Sequence, residues 1–194
     1  MNRKFLVVAM VLLVVIVVVA LVYANLNSAN PPFHGSLITP AEPAADFTLT
    51  NQNGETTKLS DFRGKFVLLF FGFTNCPDEC PLTMGYFKQM HDKLGEQADQ
   101  VQVVLITTDP ANDTPEELGK FLSHFDPSFI GLTSSKDVLQ PVWSSYGVTV
   151  MDNGETHSSF VYLIDPQGNL IATYPLLDNA DGITADLQNF LDQN

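Results

Sequence analysis

Cysteine and basic residues are both scarce in this sequence of 194 residues. The two cysteines are too few for a multi-disulfide scaffold or for a zinc site with four cysteine ligands. Nine Lys and Arg residues stand against 22 Asp and Glu, which gives a formal net charge of -13. Nucleic acids and anionic membrane surfaces are bound through basic patches, so this composition excludes both as partners. The hydrophobic fraction of 45% excludes a disordered chain, and the length allows one domain of ordinary size.

Charge is absent from residues 5–24, which form an unbroken apolar run. A helix of this length spans about 30 Å, the thickness of a bilayer hydrocarbon core, so the run predicts one N-terminal transmembrane helix. Arg3 and Lys4 precede it and no basic residue follows until Lys58, which places residues 1–4 in the cytoplasm and the remainder outside a bacterial inner membrane. Residues 22–24 could form a signal-peptidase site, but a secretory apolar segment is shorter, about 7–15 residues, so we expect a retained anchor.

Residues 25–45 differ in composition from the segments on either side. They contain four prolines and show no hydrophobic period, which predicts an extended, Pro-rich tether on the periplasmic side. Residues 46–194 then form a single domain with its own pattern of strands and helices.

The pattern of residues 46–194 predicts a mixed α/β sheet with helices on both faces. The run at residues 66–73 is continuously apolar, as in a central strand covered on both sides. Sheets of this kind carry functional loops at the carboxyl ends of their strands. The predicted strands are 46–50, 56–59, 66–73, 101–107, 129–132, 159–165 and 170–174; the predicted helices are 82–94, one starting at 114, 136–146 and 180–191.

The two cysteines, Cys76 and Cys80, directly follow the predicted central strand. On a helical turn this spacing separates them by about 6 Å, which suits either a redox-active disulfide or two sulfur ligands on one metal ion. A purely structural disulfide would close only a very short loop and stabilise the fold little. A thioredoxin-type redox motif has two residues between its cysteines, whereas this one has three, which favours coordination. Two thiolates suit a soft ion, Cu(I) above all, and leave room for a third ligand.

Four histidines are candidates for that third ligand. His34 lies in the predicted tether, a poor scaffold for a fixed site. His91 is about 16 Å along the helix axis from Cys80, which excludes it, and His124 ends a helix, where an imidazole commonly caps carbonyl groups. His157 directly precedes a buried strand, and in a thioredoxin-like sheet that loop faces the cysteine loop. We therefore predict His157 as the third ligand, with an ordinary loop histidine as the alternative.

Three segments make the chain resemble the Sco (SenC-type) family, thioredoxin-fold copper proteins needed for cytochrome c oxidase assembly. The resemblance covers residues from about 42 to 194, and the two cysteine–proline pairs with a downstream histidine are its most specific part. The segments are GFTNCPDECPLTM at 72–84, TTDPANDTPEEL at 107–118 and HSSFVYLIDPQG at 157–168.

The resemblance implies an α/β, thioredoxin-like fold in which Cys76, Cys80 and His157 bind copper. It also implies that Asp109 and Asp113 support the site, for which turn and helix-capping chemistry is the alternative. The expected function is a membrane-tethered metallochaperone that delivers copper to subunit II of the oxidase, with a periplasmic copper donor and a thiol reductant as further partners. The alternative is a thiol–disulfide reductase that keeps the cysteines of the oxidase copper site reduced, so the sequence leaves enzymatic activity open.

Overall fold

The computed structural model describes residues 3–27, 33–151, 156–157, 160–175 and 180–193; at 5, 6, 21, 23–27, 156 and 157 it describes the backbone only. Its contacts divide the chain into two units, Met1–Pro32 and Phe33–Asn194. The first unit contains helix α1, Arg3–Asn27, so the predicted apolar run is helical. Within the described part of the chain, no helix meets both the length and the apolarity needed to cross a membrane.

The second unit is a mixed α/β domain, as predicted. Its helices are α2 (Glu79–Leu94), α3 (Pro115–Leu122), α4 (Lys136–Ser145) and α5 (Asp181–Leu191). Its strands are β1 (Ser36–Pro43), β2 (Thr48–Asn51), β3 (Thr56–Lys58), β4 (Phe66–Gly72), β5 (Val101–Thr107), β6 (Ile130–Thr133), β7 (Val150–Met151), β8 (Thr156–His157), β9 (Phe160–Ile164) and β10 (Asn169–Pro175).

Eight of these strands form one sheet in the order β1-β10-β9-β4-β5-β6-β2-β3, and β7 pairs with β8 separately. All seven residues of β4 are buried, because this central strand is covered on both faces. Its side chains alternate between the faces. Leu68 and Phe70 belong to the core that includes α2 and α5, whereas Leu69 and Phe71 belong to the core that includes α4.

The topology brings the predicted site residues to one edge of the sheet. Strands β4, β5 and β6 are parallel, so their carboxyl ends lie at the same edge. Strand β9 is antiparallel to β4 and therefore begins at that edge. The loop after β4 contains Cys76, the loop after β5 contains Asp109 and Asp113, and β8, which contains His157, lies just before β9. This side of the sheet is hereafter the cysteine edge.

The predicted tether at residues 25–45 is wrong in its second half. Residues 36–43 form β1, which pairs antiparallel with β10 at the border of the sheet. Seven of its eight residues are exposed, so the sequence shows no alternation of apolar and polar residues that could reveal the strand. Proline, which cannot donate to a neighbouring strand, is tolerated in such an edge strand. The domain consequently begins at Phe33 and not at residue 46.

His34, expected in a mobile tether, has a defined place in the domain. Its backbone N–H donates to Asp186 Oδ2 at 3.0 Å, and its Nδ1 lies 3.0 Å from Asp186 Oδ1. The Tyr174 hydroxyl donates to the same carboxylate at 3.1 Å. Because the Asp186 side chain is 1% exposed, this set of contacts ties the start of the domain to α5 through a buried acceptor.

Candidate metal centre

The two cysteines lie at the junction between β4 and α2. Cys80 is in the first turn of α2 and fully buried, whereas Cys76 lies in the preceding loop and is half-buried. The backbone N–H of Cys80 donates to Cys76 Sγ at 3.4 Å, and the N–H of Cys76 donates to the Phe73 carbonyl at 3.4 Å. Both cysteines are free thiols. The loop therefore folds the Cys76 sulfur back over the start of the helix that holds Cys80.

The two thiols have different electrostatic surroundings. Burial raises the pKa of the Cys80 thiol far above its ordinary value, and a backbone hydrogen bond from Phe73 offsets only part of that increase. The neighbouring charges of Cys76 and Glu79 raise the pKa further. Cys80 thus holds its proton at neutral pH, and an ion that binds its sulfur must displace that proton.

Asp113 joins the cysteine loop to the end of β5. Its carboxylate accepts hydrogen bonds from the Thr74 N–H at 3.2 Å, the Thr74 hydroxyl at 2.5 Å and the Thr107 hydroxyl at 2.5 Å. The side chain is fully buried, and burial raises the pKa of the carboxyl group above its usual range. Thr74 is two residues before Cys76, so this carboxylate fixes the base of the loop that contains the half-buried thiol.

Asp109 occupies a neighbouring position at the cysteine edge. It is 4% exposed, and its Oδ2 accepts a hydrogen bond from Asn112 Nδ2 at 2.7 Å. Its Oδ1 is buried and has no hydrogen-bond partner among the residues that the structure describes. Asp109 also lines a cleft of about 690 Å³, together with Trp143 and Met151. A buried acceptor without a partner is a costly feature that commonly accompanies a functional site.

The structure places the backbone of His157 beside this cleft. His157 lies in β8 opposite Val150 of β7, and Val150 lines the same cleft as Asp109. The His157 side chain is outside the described residues, so its role as a ligand stays a prediction. Among the side chains that are described, no three of His, Cys, Asp or Glu form a group that could hold a metal ion.

Two other histidines, His91 and His124, have described contacts elsewhere in the domain. His91 is in α2 eleven residues after Cys80; its ring packs edge-on against Phe129 with centroids 5.2 Å apart, and its Nδ1 is 3.5 Å from Asp126 Oδ2. His124 is exposed at the end of α3, where its Nδ1 lies 3.2 Å from a backbone carbonyl oxygen of that helix. The Nε2 atom of His91 is buried and has no hydrogen-bond partner among the described residues.

Sequence reasoning missed Thr74 and Thr107, the two threonines whose hydroxyls bind Asp113. Each lies within a segment that was singled out for its other residues, 72–84 or 107–118. Threonine carries no distinctive chemistry in a sequence, and only the parallel pairing of β4 with β5 brings these two hydroxyls to one carboxylate.

The fold is that of a thioredoxin-like protein with a thiol pair at the end of its central strand. The thioredoxin domain of a thiol–disulfide oxidoreductase from Bacteroides vulgatus matches it with a TM-score of 0.61 at 20% identity, over 79% of this chain and 99% of that one. The chain belongs to the SCO1/SenC family, whose model matches residues 36–192.

The chain is also similar to a curated protein and to solved structures. A putative copper-binding protein from Stutzerimonas stutzeri is 35% identical over 165 residues, 80% of this chain and 81% of the relative. The copper-bound crystal structure of Arabidopsis thaliana ScoI has a TM-score of 0.71 at 30% identity, over 78% and 99% of the two chains. BsSco, in which a disulfide switch was identified, belongs to the Sco family of cytochrome c oxidase assembly proteins; its TM-score is 0.66 at 26% identity, over 80% and 96%.

Proposed function

We propose that this protein is a membrane-tethered copper metallochaperone that acts in cytochrome c oxidase assembly. The observation that carries the proposal is the pair of free thiols at the cysteine edge, where the Cys80 N–H donates to Cys76 Sγ at 3.4 Å. The copper bound in the Arabidopsis relative and the oxidase assembly role of the family of BsSco support the choice of cargo and of pathway. Copper is here the substrate that is carried, and the oxidase is its destination.

In this proposal Cys76, Cys80 and His157 hold the copper ion. Two sulfur donors and an imidazole suit Cu(I) and also accept Cu(II). The backbone of His157, opposite Val150 and beside the cleft, supports its inclusion. Asp109 and Asp113 hold the surrounding loops and are supporting residues, not ligands.

Delivery follows from the unequal burial of the two sulfurs. A ligand of the partner can reach the copper ion first on the side of Cys76, because that thiol is half-buried and lies in a loop. Cys80 releases the ion last, and its sulfur then regains a proton because burial raises the pKa of that thiol. Ligand exchange of this kind moves copper from one protein to the other without free ions in solution.

The membrane attachment in the proposal rests on the sequence of α1. Residues 5–24 would anchor the protein in the bacterial inner membrane, with residues 1–4 in the cytoplasm and the thioredoxin-like domain in the periplasm. Residues 25–32 would connect the anchor to the domain, which begins at Phe33, although 25–27 still belong to α1. In this location the domain would meet the copper-binding domain of oxidase subunit II.

A second candidate function is a thiol–disulfide reductase that acts on the cysteines of the oxidase copper site. The contrast between a half-buried Cys76 and a buried Cys80 supports it, because one accessible and one protected thiol are what disulfide exchange needs. The Cys76 thiolate would attack a disulfide of the partner and form a mixed disulfide. Cys80 would then lose its proton and displace the partner as two thiols, leaving a Cys76–Cys80 disulfide for a thiol reductant to reduce.

The substitution His157→Ala separates the two functions. We expect Cu(I) affinity to fall by about 100-fold, since even a residue outside the ligand set commonly contributes about 10–100-fold. The reduction potential of the Cys76–Cys80 pair should stay within about 30 mV of the wild-type value, because no sulfur is removed. Chelator competition and redox titration measure the two quantities on the same sample.

His124→Ala is the matched control, because it removes an exposed imidazole at the end of α3. It should change neither Cu(I) affinity nor potential. If His157→Ala binds copper as tightly as this control and the variant strain still metallates its oxidase, the chaperone proposal fails and the reductase is favoured.

A further inference from the structure

Gly72, the last residue of β4, lies against the thiol of Cys80. A Cβ atom at this position would be 2.8 Å from Cys80 Sγ and 2.8 Å from Phe70 Cε1. Side-chain carbons are essentially never found that close to other atoms, so any residue larger than glycine forces a displacement. Gly72 is not among the glycines with a positive φ. The position therefore needs glycine for space and not for backbone conformation.

The surroundings of Gly72 determine which atom would move. Its backbone is fixed, because Gly72 pairs with Thr107 of β5 and its carbonyl accepts the Thr108 N–H at 2.8 Å. The Phe70 ring is fully buried and packs edge-on against Phe87 with centroids 6.4 Å apart. Close-packed rings of this kind have little room to turn. Cys80 is fully buried as well, and a displacement of its sulfur is the one that would alter the thiol pair.

We propose that Gly72 is a positioning residue for the thiol pair. The missing side chain lets Cys80 Sγ lie against the end of the central strand, below the Cys76 sulfur that the loop folds back over it. The position of Cys80 Sγ relative to Cys76 Sγ is then set by packing against the end of β4 as well as by the loop. The expected change in copper affinity rests on the proposed function, whereas the expected changes in melting temperature and in the alkylation rate of Cys80 do not.

The first test compares Gly72→Ala with Gly131→Ala in the full chain purified in detergent. Gly131 is a matched control in β6: a Cβ there would be 2.9 Å from Leu122 Cδ1 and 3.1 Å from Leu118 Cβ, a similar clash with a buried core. We expect Gly72→Ala to lower Cu(I) affinity about tenfold and to shift the thiolate-to-Cu(II) absorption band. Gly131→Ala should leave both unchanged, although it lowers the melting temperature as well.

The second test asks whether the clash involves the sulfur itself. Gly72→Ala should lower the melting temperature less in a Cys80→Ala background than in the wild type, because Cys80→Ala removes the atom that the new methyl group meets. If Gly72→Ala alone does not fold, the double variant should still be the more stable of the two, since the contact with Phe70 Cε1 remains but the contact with Cys80 Sγ is gone. In a Cys76→Ser background, alkylation of Cys80 should be faster with Gly72→Ala than with Gly131→Ala.

Equal losses of melting temperature in the two Cys80 backgrounds would overturn the proposal, as would equal effects of Gly72→Ala and Gly131→Ala on copper and alkylation. If the wild-type protein holds no copper while the cycle and the alkylation rates behave as expected, the proposed function fails and the positioning role of Gly72 stands.

Discussion

At the scale of single residues, the site contains two cysteines whose surroundings differ. Cys80 is buried and holds its proton, whereas Cys76 is half-buried in a loop that a buried carboxylate secures. That carboxylate, Asp113, accepts hydrogen bonds from one backbone N–H and two threonine hydroxyls. The accessible thiol is thus held by polar contacts, and the protected thiol by packing.

Asp113→Ala tests the polar contacts at this scale. The change leaves one buried and two partly buried donors without an acceptor, so we expect a loss of about 2–4 kcal/mol in the free energy of unfolding. Denaturant unfolding measures it, with Glu96→Ala, an exposed acid between α2 and β5, as the control. A loss no larger than that of the control, within about 0.5 kcal/mol, would show that Asp113 does not secure the loop.

At the scale of elements, the sequence predicts the buried parts of the domain better than its borders. The continuous apolar run of β4 and the helical spacing of α2 give these elements clear signals, because each is buried on the sides that the pattern encodes. Strand β1 gives none, since it is almost fully exposed. The pairing of β7 with β8 was also missed, because strands of two residues are too short to show a period.

The residues of the candidate site also divide into those that the sequence predicts and those that it does not. Cys76, Cys80 and His157 could be selected because their residue types and spacing are distinctive. The threonine contacts of Asp113 and the place of Gly72 against Cys80 could not, because they arise from the pairing of strands that are distant in sequence. The side chain of His157 lies outside the described residues, so its part in the site stays a prediction.

Asp186→Ala tests the attachment of β1, the element that the sequence did not reveal. Asp186 accepts hydrogen bonds from the His34 backbone and from Tyr174, so its loss should free the start of the domain. We expect faster hydrogen exchange in residues 36–43 and little change in β4. Asn189→Ala, on the same helix, is the control. Unchanged exchange in β1 would show that pairing with β10 alone holds the strand.

At the scale of the whole molecule, the chain combines an apolar N-terminal helix with an acidic SCO1/SenC domain. Under the proposed function, confinement of the carrier to the membrane of the oxidase would favour copper exchange, because tethering raises the local concentration of the two proteins.

The anchor makes a prediction at this scale. The full chain should stay with the membrane fraction after an alkaline carbonate wash, because about 20 apolar residues suffice to span the hydrocarbon core. Val14→Arg together with Val15→Arg should release it, since each charge at the centre of a membrane helix costs about 2.5–3.5 kcal/mol. Release of the wild-type chain by the wash would contradict a retained anchor.

The copper content of the purified wild-type chain shows whether the protein carries copper. The full chain, loaded with copper under reducing conditions and then dialysed, should retain about one copper ion per molecule, because the two thiols supply soft ligands within a single site. The same treatment of a chain with Cys76→Ser and Cys80→Ser gives the background. Retention no greater than this background, under both reducing and oxidising conditions, would contradict the account.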